Sequence, residues 1–158
     1  MPSNRVHQTR LVLDDFVPYR LSLLTNQVSS AIAGHYSERF GLTIPEWRVM
    51  AVLGGTPGLS AREVSARTAM DKVQVSRAVT SLMAARRLRR AQDTMDGRLT
   101  HLFLTPVGRA IYDEIVPLAL NLEALLLSSL TAAEKETFSR LLTKLARQSP
   151  RLQGAERG

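Results

Sequence analysis

The sequence predicts a mainly α-helical chain carrying one small β-hairpin, with long apolar helices at both ends. Three observations support this. Apolar residues recur every three or four positions over most of the 158 residues, the period of a helix with one buried stripe. Thr43 with Glu46, Ser60 with Glu63 and Thr131 with Glu134 each set a hydroxyl three positions before an acid, the capping-box spacing that opens a helix. Between Leu88 and Leu104 the period falls towards two on either side of a polar bend, as two strands around a turn require.

Length and composition limit what such a chain can be. At 158 residues it is expected to be one domain, or one domain extended by helices used for assembly, and it is long enough for a real core. No apolar run approaches the roughly 20 residues that span a bilayer. The opening MPSNRVHQTR has no apolar core of a signal peptide. A cytoplasmic location with no membrane partner is therefore expected. Cysteine is absent, which excludes disulfides, thiolate metal sites, cysteine nucleophiles and thiol-based peroxide sensing. His7, His35 and His101 have no metal-ligand spacing. No phosphate-cradling glycine loop or nucleophile elbow is present. No metal, cofactor or catalytic activity is expected. The net charge of +7, from 21 Lys+Arg against 14 Asp+Glu, favours an anionic partner, nucleic acid foremost.

The elements follow in order. Residues 1–15 read as a polar, frayed start. From Pro18, a suitable first-turn residue, Leu21, Leu24, Val28, Ile32, Tyr36 and Phe40 keep helical spacing, and Gly41 stops the helix. Thr43 caps a short helix holding Trp47, Val49, Met50, Val52 and Leu53, which Gly54-Gly55-Thr56-Pro57-Gly58 ends. Ser60 caps the next, with Ala61 and Val64 inward, to about Thr68. Asp71, with Gln74 at the capping offset, opens a helix to about Ala85 whose inner stripe is Val75, Val79 and Leu82. Leu88–Gln92 and Leu99–Leu104 are the two strands, and Asp93–Arg98 is the turn. Thr105-Pro106 launches a long helix through Ile111, Ile115, Leu118, Leu122 and Leu125/Leu126, kinked at Pro117. The last helix carries Phe138, Leu141, Leu142 and Leu145, and residues 149–158 form a polar tail. Leucines on more than one face of residues 118–130 call for more neighbours than a small core supplies.

Two short helices over 61–67 and 71–85 have the form of a helix-turn-helix. Its second helix must show small polar and basic residues to a major groove. Lys72, Gln74, Ser76, Arg77 and Thr80 fit, since Gln can read adenine, Arg can read guanine, and Ser or Thr can contact bases or phosphates. Arg86, Arg87, Arg89 and Arg90 are placed for phosphates, though cations also suit a helix C-terminus. An ordinary surface helix with a solvated face is the plain alternative. The hairpin immediately after it argues against that alternative. Asp93 and Asp96 lie on an exposed bend without a pocket, so structural roles are expected of them and none in acid–base catalysis. His101 reads as a surface residue, and His35 as a packing or interface residue.

The stretch Asp96-Gly97-Arg98, then Leu104-Thr105 and Gly108, resembles the D-x-R, L-T and G pattern of the MarR (multiple antibiotic resistance regulator) family. Leu42-Thr43 with Trp47 and Leu53 resembles that family's second helix, and the element order agrees from about Pro18 to Arg147. The resemblance implies a winged helix-turn-helix homodimer without enzymatic activity. Residues 18–147 would form the domain, with 18–40 and 106–147 as dimerisation helices and 43–105 as the DNA-binding winged helix. It implies that the recognition helix reads a palindromic operator in double-stranded DNA. The wing-tip Arg98 would enter the minor groove, Asp96 would orient it or the wing, and Gly97 would permit the turn. A small-molecule effector, of the phenolic or aromatic-acid type, would sit between the winged helix and the dimer helices, where Arg20, Tyr36, Trp47 and Arg48 are candidates. For Tyr36 and Trp47 core packing is the plain alternative, and salt bridging for the two arginines. One departure stands out: Arg86 occupies about the place where many members end the recognition helix with glycine. A nonspecific DNA- or chromosome-packaging role is the rival reading, and a protein-interaction module or enzyme built on the leucine-rich helices is a third.

Overall fold

A computed structural model describes residues 10–154 of the chain. Residues 1–9 with His7, and 155–158, lie outside it. The element order is a 3₁₀ turn at Leu13–Asp15, α1 (Val17–Phe40), α2 (Ile44–Gly55), α3 (Ala61–Thr68), α4 (Lys72–Ala84), β1 (Leu88–Gln92), β2 (Thr100–Leu104) and α5 (Pro106–Leu126), then a second 3₁₀ turn and α6 (Ala132–Gly154). This is the mainly α chain with one hairpin that the periodicity predicts. The strands pair antiparallel, from Leu88 with Leu104 to Gln92 with Thr100.

Local chemistry explains most boundaries. Thr43 and Ser60 form complete capping boxes with Glu46 and Glu63, and Asp71 does so with Gln74. Each satisfies backbone donors that a helix start leaves free. Gly41 ends α1 in the left-handed region at φ 61°. Thr131 receives Glu134 in the same reciprocal manner at the start of α6.

Several expectations need correction. Leu13–Asp15 form a 3₁₀ turn within the stretch read as frayed. Helix α2 runs on through Gly54 and Gly55, and Gly54 lies under the Tyr112 ring, which a Cβ there would meet at 2.2 Å. Ala61 is exposed, and Val64 alone is buried from α3. Strand β2 starts at Thr100, since the Leu99 N–H instead bonds the Asp96 carbonyl at 2.9 Å inside the turn. Leu59 bridges to Leu102, adding a third short rung beside the hairpin. The tail expected from residue 149 is helical as far as Gly154.

The chain divides into two compact units, Met1–Leu118 and Ala119–Gly158. In the first, Tyr36, Val49, Met50, Leu53, Val64, Val75, Val79, Leu82, Leu102 and Ile115 form a buried core. Each such aliphatic side chain contributes on the order of 2 kcal/mol when removed from water. The core holds α4 and the hairpin on one frame. In the second unit, Leu120, Leu125, Leu126, Phe138, Leu141, Leu142 and Leu145 are all exposed. Among the described residues, no single helix is long and apolar enough to cross a membrane.

Candidate nucleic-acid interface

Helix α4 buries Val75, Ala78, Val79 and Leu82. That fixes which side faces out: Lys72, Gln74, Ser76, Arg77 and Thr80 are all exposed. Asp71 Oδ1 accepts the Gln74 N–H at 2.7 Å, and Gln74 Oε1 accepts the Asp71 N–H at 3.4 Å. Gln74 thus lends its amide oxygen to the cap, leaving chiefly its NH₂ to offer a base. The Thr80 hydroxyl donates to the Ser76 carbonyl at 2.9 Å. Val73 was not named in the sequence reading. It is 58% exposed and shares the outward stripe of Ser76, Arg77 and Thr80 at helical spacing. Beside this stripe, Arg62, Lys72 and Arg90 surround a hollow of about 260 Å³ floored by Val75 and Val79, which concentrates positive potential next to the exposed face.

The four arginines after α4 do different things. Arg86 takes the left-handed conformation, φ 56°. Its N–H bonds the Met83 carbonyl at 2.9 Å, while the Arg87 N–H reaches back to the Leu82 carbonyl at 2.8 Å, the pair of bonds of a Schellman cap. The chain therefore makes the glycine-type ending with an arginine. Arg87 turns inward and donates to the Phe40 carbonyl. The Arg89 guanidinium lies 4.5 Å over the Phe103 ring, and Arg90 lines the basic hollow. The Thr105 hydroxyl donates to the Arg86 carbonyl at 2.7 Å and accepts the Gly108 N–H at 3.1 Å. A Cβ on Gly108 would lie 2.1 Å from the Arg87 carbonyl oxygen, so no larger residue fits while α5 starts there.

In the wing, Asp96 Oδ1 accepts the backbone N–H of Arg98 at 3.0 Å. Asp96 therefore fixes the backbone that bears the arginine, and Arg98 itself is exposed. Gly97 needs correction as a wing stabiliser. Among the described residues the positive-φ glycines are Gly41 and Gly58, and a Cβ at Gly97 would meet open space, so the turn draws no special freedom from it. Asp93 does more of the holding. Its Oδ1 accepts the N–H groups of Met95 at 2.7 Å and Asp96 at 3.0 Å, and its Oδ2 contacts His101 Nε2 at 2.9 Å. The Asp96 amide, the His101 ring and the Met95 amide together draw the Asp93 carboxyl down to about 2. No arginine takes the acids of the turn. His101, read as a plain surface residue, is a bridge: its Nδ1 lies 2.8 Å from the Gly58 carbonyl oxygen. Only the three-dimensional fold brings residues 58, 93 and 101 together.

Of the candidate effector residues, Tyr36 and Trp47 meet, with ring centroids 5.7 Å apart, and Tyr112 continues the stack at 6.0 Å from Trp47. Burial pushes the Tyr36 hydroxyl up, opposed by the charge of Arg48. Arg20 stands apart, in a trough on α1 with Val17, Leu21, Leu23, Leu24 and Gln27. Arg109 was missed. Both its terminal nitrogens lie 3.2 Å from the Gly54 carbonyl oxygen, and its guanidinium sits 5.0 Å over Tyr112. Glu46 is buried. Burial pushes its carboxyl up, but hydrogen bonds from Ser81 and Thr43 and the Arg87 charge outweigh this and leave it lowered. Among the described residues, no group of three or more acids and histidines could hold a metal ion.

Comparison with known proteins matches residues 40–99 to the MarR family. The chain is 28% identical over 131 residues to the HTH-type transcriptional repressor Rv2887 of Mycobacterium tuberculosis, covering 82% of this chain and 91% of that one. It is similar to the crystal structure of a MarR/EmrR family transcriptional regulator from Acinetobacter sp. ADP1, with TM-score 0.82, 26% identity and coverage of 89% and 99%. It is also similar to BpsR of Bordetella bronchiseptica, whose DNA binding is regulated by 6-hydroxynicotinic acid, with TM-score 0.75, 25% identity and coverage of 87% and 97%.

Proposed function

We propose that the chain is a MarR-family transcriptional regulator, a dimeric, sequence-specific repressor that a small ligand releases from DNA. One observation carries the DNA-binding part. A rigidly capped α4 offers Lys72, Gln74, Ser76, Arg77 and Thr80 outward, next to a wing whose exposed Arg98 has its backbone fixed by Asp96. Such a helix suits a major groove and such an arginine the adjoining minor groove. Two copies reading a palindromic operator, one helical turn between half-sites, would be joined through the terminal helices. The exposed leucines of α5 and α6 support that assignment.

Release by a ligand rests on analogy with BpsR and on the Tyr36–Trp47–Tyr112 stack flanked by Arg48 and Arg109. Flat aromatic anions suit such a setting of rings and cations. A ligand that favours another spacing of the two reading heads would lower affinity by population shift.

Arg98→Ala tests the wing. The substitution should weaken binding to the operator about tenfold and lower the salt dependence by about one phosphate-equivalent, with dimerisation intact. Unchanged affinity in a gel-shift titration overturns the assignment. The rival, nonspecific packaging reading predicts equal competition by random DNA, whereas the repressor reading predicts a specificity ratio of about 1,000 or more.

A further inference from the structure

We propose that His101 works as a doubly donating imidazolium that rivets the wing to the α2–α3 loop, so that wing order and operator affinity fall when it loses its proton. The proposal rests on the DNA-binding reading above for its functional half. Its structural half stands alone.

Both ring nitrogens of His101 face oxygen atoms. Nδ1 lies 2.8 Å from the Gly58 carbonyl oxygen, and Nε2 lies 2.9 Å from Asp93 Oδ2. A carbonyl and an ionised carboxylate only accept. Asp93 stays ionised throughout the neutral range, because the amides of Asp96 and Met95 and the ring of His101 hold it at about 2. A neutral imidazole carries one N–H. Whichever nitrogen keeps it, the other turns a lone pair towards an oxygen. Only the cation satisfies both contacts. The other charge facing the ring is Glu63 on α3, which favours the cation and is itself drawn down chiefly by Ser60. Arg67 answers Glu63 from the same helix. The Asp93 hydrogen bond, then the Gly58 carbonyl, raise the His101 value from 6.5.

The three groups come from separate places: Gly58 precedes α3, Asp93 follows β1, and His101 lies on β2. Asp93 also holds the amides that begin the turn bearing Arg98. Loss of the proton therefore releases one end of the bridge between the turn and the helix-turn-helix. The sign follows. A group raised in the folded state contributes fully below its unfolded value, near 6.5, and loses that contribution as pH rises through the folded value.

The test has two arms, using the full chain and an operator duplex obtained by selection. Ring-nitrogen NMR should show both His101 nitrogens protonated at pH 6. The amides of Met95 and Asp96 should exchange faster once that proton is lost. Operator affinity at constant ionic strength should fall about threefold or more from pH 6 to pH 8.5. His101→Gln should abolish that slope, while His35→Gln keeps it. A neutral His101 ring at pH 6 overturns the rivet. A doubly protonated ring with the same slope in His101→Gln overturns the coupling to DNA. Absence of any operator-specific binding fails the function reading and leaves the NMR arm to decide the rivet.

Discussion

The residues that do most in this molecule are the ones that let segments meet closely. Arg86 holds a left-handed cap at φ 56°, where a side chain costs about 1 kcal/mol relative to glycine. Its carbonyl receives the Thr105 hydroxyl, and the next carbonyl touches the space where Gly108 has no Cβ. The Leu-Thr-x-x-Gly pattern thus has a physical reason: Thr105 ties the wing exit to the α4 cap, and Gly108 lets α5 lie against it. Arg86→Gly should raise stability by about 1 kcal/mol, read as a higher Tm at fixed protomer concentration, since assembly shifts Tm as well. A lower Tm would show that the guanidinium compensates for the strained backbone.

At the scale of elements, the cap of α4 decides which side chains the helix offers outward. With Gln74 bonded to Asp71, the outward stripe is Val73, Ser76, Arg77 and Thr80. The apolar feature of a major groove is the thymine methyl, which an exposed valine can cover. Val73→Ala should weaken operator binding about fivefold, and uracil in place of one half-site thymine should cost wild type the same while leaving the variant unaffected. Equal sensitivity of both proteins to uracil would remove Val73 from the interface. The sequence made the helices legible because capping boxes and helical periods are local signals: all four caps at Thr43, Ser60, Asp71 and Thr131 occur where their spacing places them. The wing was legible as a hairpin. The contacts within it were less so. Asp96 was expected to orient the arginine or the wing and does so at the backbone, by accepting the Arg98 amide; Gly97 was given a role that φ does not require, and His101 was read as a surface residue. The His101 contact with Gly58 joins segments 43 residues apart, and the Asp96 and Gly97 details are backbone geometry; periodicity is silent on both. Val73 was missed because the outward residues were picked by polarity alone.

For the whole molecule, the unsatisfied requirement is apolar surface. Leu125 is 69% exposed and Leu145 is 53% exposed, and patches of that kind mark association faces. Light scattering should give a dimer. Leu141→Arg with Leu145→Arg should shift it to monomer and reduce operator affinity at least about tenfold, because each half-site then binds alone. A dimer that survives the double substitution would place the interface elsewhere. The wing has a further consequence. The Thr105 N–H closes on the Arg87 carbonyl at 3.0 Å, so the chain leaves the helical frame and returns to it at one point. Between these points Leu88 and Leu102 are buried in the core and Leu102 pairs with Leu59, so the frame registers the base of the hairpin. The tip between Asp93 and Leu99 makes no such contact with the core, and a longer tip adds only slowly to closure entropy. The wing tip is thus the interchangeable part, whose length can change while the base of the hairpin and the joint at Arg87, Thr105 and Gly108 stay as they are.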